Sequence, residues 1–215
     1  MFSQRFVIFV LALALLAGCA SASVIATYTD PTAFSLVTSG LYSFTNITFE
    51  SDTCSLCQPL VDSGVSFDGG VNGLNVGTVS GWGSGNVLKR STGGGSISAA
   101  LPANIYAFSA YLVTVSAAFP TSVDITFTSG SNYLYSVTVP GTTGGSLFFG
   151  VTADAPITNV KFDTTIFSSL TLGIDNVGIG APITQTAEAT TFILIGSGLM
   201  FLRLLRRRRP AVAAA

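Results

Sequence analysis

The chain has 215 residues, nine Lys and Arg against ten Asp and Glu, a formal net charge of −1 and no histidine. Without histidine it lacks the usual general base, the Ser-His and Cys-His nucleophile pairs and the commonest zinc ligand. Between residues 23 and 186 only Lys89, Arg90 and Lys161 stand against nine acids, which excludes nucleic acid as a partner, because binding phosphates needs a basic patch.

At the N-terminus, Arg5 gives a charged start, Phe6 to Ala17 is an apolar run, and Ala20-Ser21-Ala22 supplies small residues of the kind a signal peptidase cuts after. Residues 1–22 therefore read as an export signal. Leu16-Ala17-Gly18-Cys19 also resembles a lipobox, in which Cys19 would be lipidated and become the first mature residue. Both readings stand at this point. Either leaves one domain's length of chain, 23–185, enough to enclose a core.

That stretch reads as β throughout. Runs rich in Val, Ile, Thr, Phe and Tyr alternate apolar with polar and end in Gly, Pro, Asn and Ser clusters. Strands are expected near Val24–Thr29, Tyr42–Glu50, Val65–Asp68, Ser96–Leu101 and Ile105–Val115. Others fall near Ser122–Thr128, Tyr133–Val139, Leu147–Thr152, Asn159–Asp163 and Leu170–Ile179. Val123, Ile125 and Phe127 share one face while Asp124 and Thr126 share the other, the period of a half-buried strand. Ser129-Gly130-Ser131-Asn132 then turns the chain into the next strand as a hairpin. No amphipathic helix of useful length is expected. About ten strands in about 160 residues predict an all-β, antiparallel two-sheet sandwich of jelly-roll type.

Within this body, Cys54-Ser55-Leu56-Cys57 has a spacing that suggests redox chemistry or half a metal site in a cytosolic protein. In an exported chain it points to a local disulfide, and Pro59 and Gly64 mark loop rather than the helix a redox motif needs. Leu74 to Gly95 is rich in Gly, Ser and Asn and is expected to form long loops over one end of the sandwich. Trp82, the only tryptophan, either offers a platform for a sugar ring or folds down to cap the core. The acids are spread singly, and spacing gives no way to pair them for glycoside hydrolysis, which needs two carboxyls facing one bond. No enzymatic activity is expected.

The C-terminus carries the strongest signal. From Ala189 to Leu202 the chain is uncharged; Arg203 follows, then Arg206, Arg207, Arg208 and Arg209. An apolar helix sits in hydrocarbon while an arginine block stays in the cytosol, so residues 186–215 read as a membrane segment with a cytosolic cluster. Ala189 to Leu205 is about 17 residues, the lower edge of a bilayer span. The tail resembles the PEP-CTERM sorting domain of Gram-negative bacteria, whose members end in a Pro-Glu-Pro motif, a hydrophobic segment and an arginine cluster. FILIGSGLMFLRLLRRRR matches the last two parts, and Ala187-Glu188-Ala189 stands where the family has Pro-Glu-Pro. The resemblance implies processing by an exosortase and an address at the cell surface or in the extracellular matrix.

The body is similar to exported proteins of the same family through Phe49-Glu50, Gly81-Trp82-Gly83-Ser84-Gly85-Asn86, Leu101-Pro102, Phe148-Phe149-Gly150-Val151 and Leu172-Gly173-Ile174-Asp175-Asn176-Val177. This implies a β-sandwich associated with exopolysaccharide and biofilm matrix, and little about activity. Jelly-roll carbohydrate-binding modules hold a structural calcium between an early acid, a late acid and backbone carbonyls; by that likeness Glu50 and Asp175 are candidate calcium ligands, and no other cofactor is expected. Two functions follow: a non-enzymatic surface or matrix protein, or a carbohydrate-binding module using Trp82 with Tyr106, Tyr111, Tyr133 or Tyr135 in one groove.

Overall fold

The computed structural model describes residues 25–91, 95–116, 119–164 and 171–183. The export signal, Cys19, the Ala187-Glu188-Ala189 motif and the arginine cluster lie outside the described residues. Among those described, no helix is long and apolar enough to cross a membrane.

In chain order the elements are β1 (Ile25–Tyr28), α1 (Pro31–Thr38), β2 (Tyr42–Ile47), β3 (Ser55–Cys57), β4 (Leu60–Asp62), β5 (Val65–Asp68), β6 (Leu74–Thr78) and β7 (Asn86–Arg90). There follow β8 (Ser96–Ala100), β9 (Ala107–Ser116), β10 (Thr121–Ser129), β11 (Ser131–Val139), β12 (Ser146–Ala153), β13 (Asn159–Asp163) and β14 (Thr171–Pro182). An eight-stranded sheet runs β1-β12-β9-β14-β7-β6-β3, with β2 also paired to β14; a six-stranded sheet runs β11-β10-β13-β8-β5-β4. Every strand pair is antiparallel, so the expected all-β two-sheet sandwich is the architecture found.

The core lies between the sheets. Phe108, Leu112, Phe149, Val151, Ile174, Val177 and Leu88 from one sheet face Val65, Phe67, Ile97, Val123, Ile125, Phe127, Val160 and Phe162 from the other. Burying a side chain of this kind stabilises by roughly 1.5–3 kcal/mol, so period-two alternation decides which face turns inward. The β10–β11 hairpin has the expected partners, from Thr121↔Val139 to Ser129↔Ser131 about Gly130.

Three expectations need correction. First, α1 is a helix of eight residues on the outer face of the eight-stranded sheet. Asp30 caps it by accepting from the Thr32 N–H (2.8 Å), and Pro31 opens its first turn. Only Phe34 and Thr38 are buried in it; two buried positions are too few to show a helical period. Second, the expected long loops at Leu74–Gly95 contain β6 and β7, paired from Leu74↔Arg90 to Thr78↔Asn86. The glycines concentrate in the short connection between them, and their number hid two strands whose Leu74, Val87 and Leu88 are fully buried. Third, β3 and β4 are three-residue strands, too short to show alternation.

Candidate functional site

β14 changes neighbours midway. Gly173 and Ile174 pair with β7, while Val177 to Pro182 pair with β2. Between them the register against β9 shifts, from Asp175↔Tyr111 to Gly178↔Ser109, and Asn176 takes a left-handed φ of 48°. Such a bulge re-aims the side chains beside it. Here it places Asp175, which is 0% exposed, among polar groups on the outer side of the sheet.

Trp82 Nε1 donates to Asp175 Oδ2 (2.9 Å), the Asn176 N–H donates to Oδ1 (2.7 Å), and Asn176 Nδ2 donates to Oδ2 (3.3 Å) and to Ser84 Oγ (2.9 Å). Glu50 closes the other side, its Oε1 accepting from the Asn86 N–H (3.0 Å). Gly85 between them has φ 88°, and a Cβ there would run into the Glu50 carboxylate. Burial, above all, raises the Asp175 carboxyl above its usual range. The bonds from Trp82, the Asn176 backbone and Ser84 hold it down, and the negative charge of Glu50 raises it further.

The fold thus brings together Glu50, Trp82 and Asp175, three residues that the sequence singles out. Trp82 is half-buried. The indole lies over Tyr111 (centroids 5.7 Å) and against Val79, Val87 and Val113. Trp82 does fold down, but onto the outer face of the eight-stranded sheet rather than onto the core between sheets. Of the four tyrosines, Tyr111 lies beside Trp82, while Tyr133 stacks on Phe127 and Tyr135 packs on Phe149 at the edge of the inner core. Ser84, Asn86 and Asn176 stand in the sequence only within motifs of resemblance, with no role at a site, because only pairing across the bulge makes them neighbours.

Calcium takes roughly six to eight oxygens. Glu50 and Asp175 supply carboxylates at one place, but their located partners are N–H donors, and no group of three His, Cys, Asp or Glu gathers among the described residues. A second carboxyl pair, Asp52 and Asp62, went unforeseen. Burial first, then the charge of Asp62 and a hydrogen bond with it, raise the Asp52 carboxyl. The first pair lacks the form hydrolysis needs, because Asp175 is inaccessible. Cys54 and Cys57 are joined as a disulfide, with Cα atoms 5.8 Å apart.

A separate hollow of about 560 Å³ lies on the outer face of the six-stranded sheet, lined by Gln58, Pro59, Ser66, Asp68, Gly70, Val71, Ser98 and Ala100. Alternation in β5 and β8 puts Ser66, Asp68, Ser98 and Ala100 outward, and the register Asp68↔Ser98 sets them side by side. Asp68 accepts from the Gly70 N–H (2.7 Å) and Gln58 donates to the Gly70 carbonyl, which holds the wall at Val71 upright.

No family model and no curated protein matches this chain. Among solved structures, it is similar to a variant of CBM29-2, a family 29 carbohydrate-binding module, complexed with mannohexaose. The match has a TM-score of 0.40 and 12% identity, over 65% of this chain and 92% of that one. It is also similar to the CBM22-1 xylan-binding domain from Paenibacillus barcinonensis Xyn10C, with a TM-score of 0.36 and 13% identity over 68% of this chain and 98% of that one.

Proposed function

We propose that the chain is a non-enzymatic protein exported from a Gram-negative cell and sorted through its tail to the surface or matrix, where its sandwich contacts extracellular polysaccharide. The sequences of the two ends support the address: an export signal in front, and behind it an apolar stretch closed by Arg206 to Arg209 that an exosortase-type enzyme would process. The hollow on the six-stranded sheet carries the contact. A sugar offers hydroxyls at its edge and C–H groups on its faces, and this surface answers with Ser66, Asp68, Ser98 and Gln58 beside Pro59 and Val71. A glycan array probed with residues 23–186 tests it. Binding lost in Asp68→Ala, with the melting temperature kept, is the expected result; no binding, or binding indifferent to that change, leaves display alone.

A calcium ion between Glu50 and Asp175 belongs to the same proposal. Chelator should then lower the melting temperature, and an unchanged melt would leave the hydrogen-bond network as the whole of that site.

A further inference from the structure

The polypeptide enters and leaves the eight-stranded sheet at one end. Ile25, at the start of β1, pairs with Ala153, and Thr152 pairs with Ala107. Ala107 pairs with Gly180, two residues from the end of β14. Tyr42 pairs with Pro182 at the same end, and Leu41 precedes it. Thus a tail anchored beyond Pro182 and a lipid on Cys19 would both pull this end toward a membrane. At no more than about 3.6 Å per residue, the seven residues from Pro182 to Ala189 reach at most about 25 Å.

An apolar surface lies next to that exit. Leu36 and Val37 in the last turn of α1 are 80% and 43% exposed, and Leu41 is 52% exposed. Phe34 anchors the helix inward, against Tyr28, Phe44 and Phe148, and Thr38 in the same helix is buried too. From Pro31 to Leu41 there is no Asp, Glu, Lys or Arg, and the hollow of about 500 Å³ beside Leu36 is lined by Pro31, Thr32, Ser35 and Ser39. An uncharged segment with an apolar outer face enters the headgroup region without desolvating a charge.

We infer that α1 and Leu41 rest on the lipid surface when the tail is anchored, with Leu36, Val37 and Leu41 in the interfacial zone. This rests on the anchored precursor proposed above. The surface holds the hollow of the six-stranded sheet away from lipid, since that hollow opens on the other sheet's outer face.

The test uses the full chain in vesicles of phosphatidylethanolamine and phosphatidylglycerol. Cys19→Ser removes the extra thiol, and a nitroxide is placed at Leu36→Cys. Phe119→Cys is the control; it is 76% exposed and precedes β10 at the opposite end, where β9 and β14 pair through Ser116↔Thr171. Oxygen, which partitions into lipid, should relax the label at 36 several-fold more, relative to a water-soluble nickel chelate, than the label at 119. Equal ratios in chains that stay with the vesicles through an alkaline wash overturn the inference and leave the anchor standing. Chains released by the wash overturn both. Broadening between labels at 36 that vanishes on dilution with unlabelled chain would make the occupant a second copy, and would also overturn it.

Discussion

Asp175 is a carboxyl taken wholly out of water and held by N–H donors. A carboxyl raised in the folded state keeps its proton more readily folded than unfolded. Its contribution is therefore fullest in acid and is lost as pH rises from the unfolded value through the folded one. The indole N–H opposes that loss by favouring the ionised form. Trp82→Phe keeps a ring over Tyr111 and removes the donor, and should cost about 1–3 kcal/mol at pH 7. The cost should shrink at pH 3, where Asp175 no longer carries the charge the donor was holding. Denaturant melts at the two pH values measure this, and an equal loss at both would mean that the indole acts by packing alone. At Asp52 the sign is the same and the remedy simpler. Asp52→Asn keeps a hydrogen-bonding partner for Asp62 and removes the like charge, so it should stabilise at pH 7 by a few tenths to about 1 kcal/mol. That gain should vanish in acid; a destabilised variant at neutral pH would show the pair bound to something positive.

The elements differ in how openly they declare themselves. β10 buries Thr121, Val123, Ile125, Phe127 and Ser129 in strict alternation, and its hairpin with β11 could be read from the residues alone. β6 and β7 alternate less and flank a run of glycines, so local composition spoke for loop while buried Leu74, Val87 and Leu88 decided for strand. α1 is set by a cap and one ring. Asp30→Ala should cost about 1 kcal/mol, and Phe34→Ala about 3–5 kcal/mol, both read by denaturant unfolding. A loss under about 1 kcal/mol for Phe34→Ala would show that α1 is not docked through that ring. The site was half legible. The sequence pairs Glu50 with Asp175 as calcium ligands and sets Trp82 apart, but the meeting of all three depends on a bulge where one strand trades β7 for β2. Asp68 and Ser98 likewise became neighbours only through register. Pairing across the sheets is a property of the whole packing, and no local window contains it.

At the scale of the molecule, the sorting proposed above would make the tail set the terms on which the sandwich is displayed. Seventeen or so residues is the lower edge of a span, Gly196 and Gly198 dilute its hydrophobicity, and Arg203 would have to snorkel to the cytosolic side. On that proposal, such a segment would hold the chain in the bilayer weakly enough to suit a signal that is later removed, and strongly enough to hold it while an enzyme cuts. Intact mass of the native surface and secreted fractions should therefore give a C-terminus near Glu188, with Arg206 to Arg209 gone. A mass that keeps the arginines, found in the membrane fraction, would mean that Ala187 and Ala189 in place of the two prolines abolish the cut and leave an anchored protein. The same spectrum fixes the other end. A start at Ser23 means cleavage after Ala22, so the tail is the chain's one attachment and processing frees the sandwich. A start at a lipidated Cys19 means that cutting the tail would free nothing, because β1 leaves the same end of the sheet six residues later.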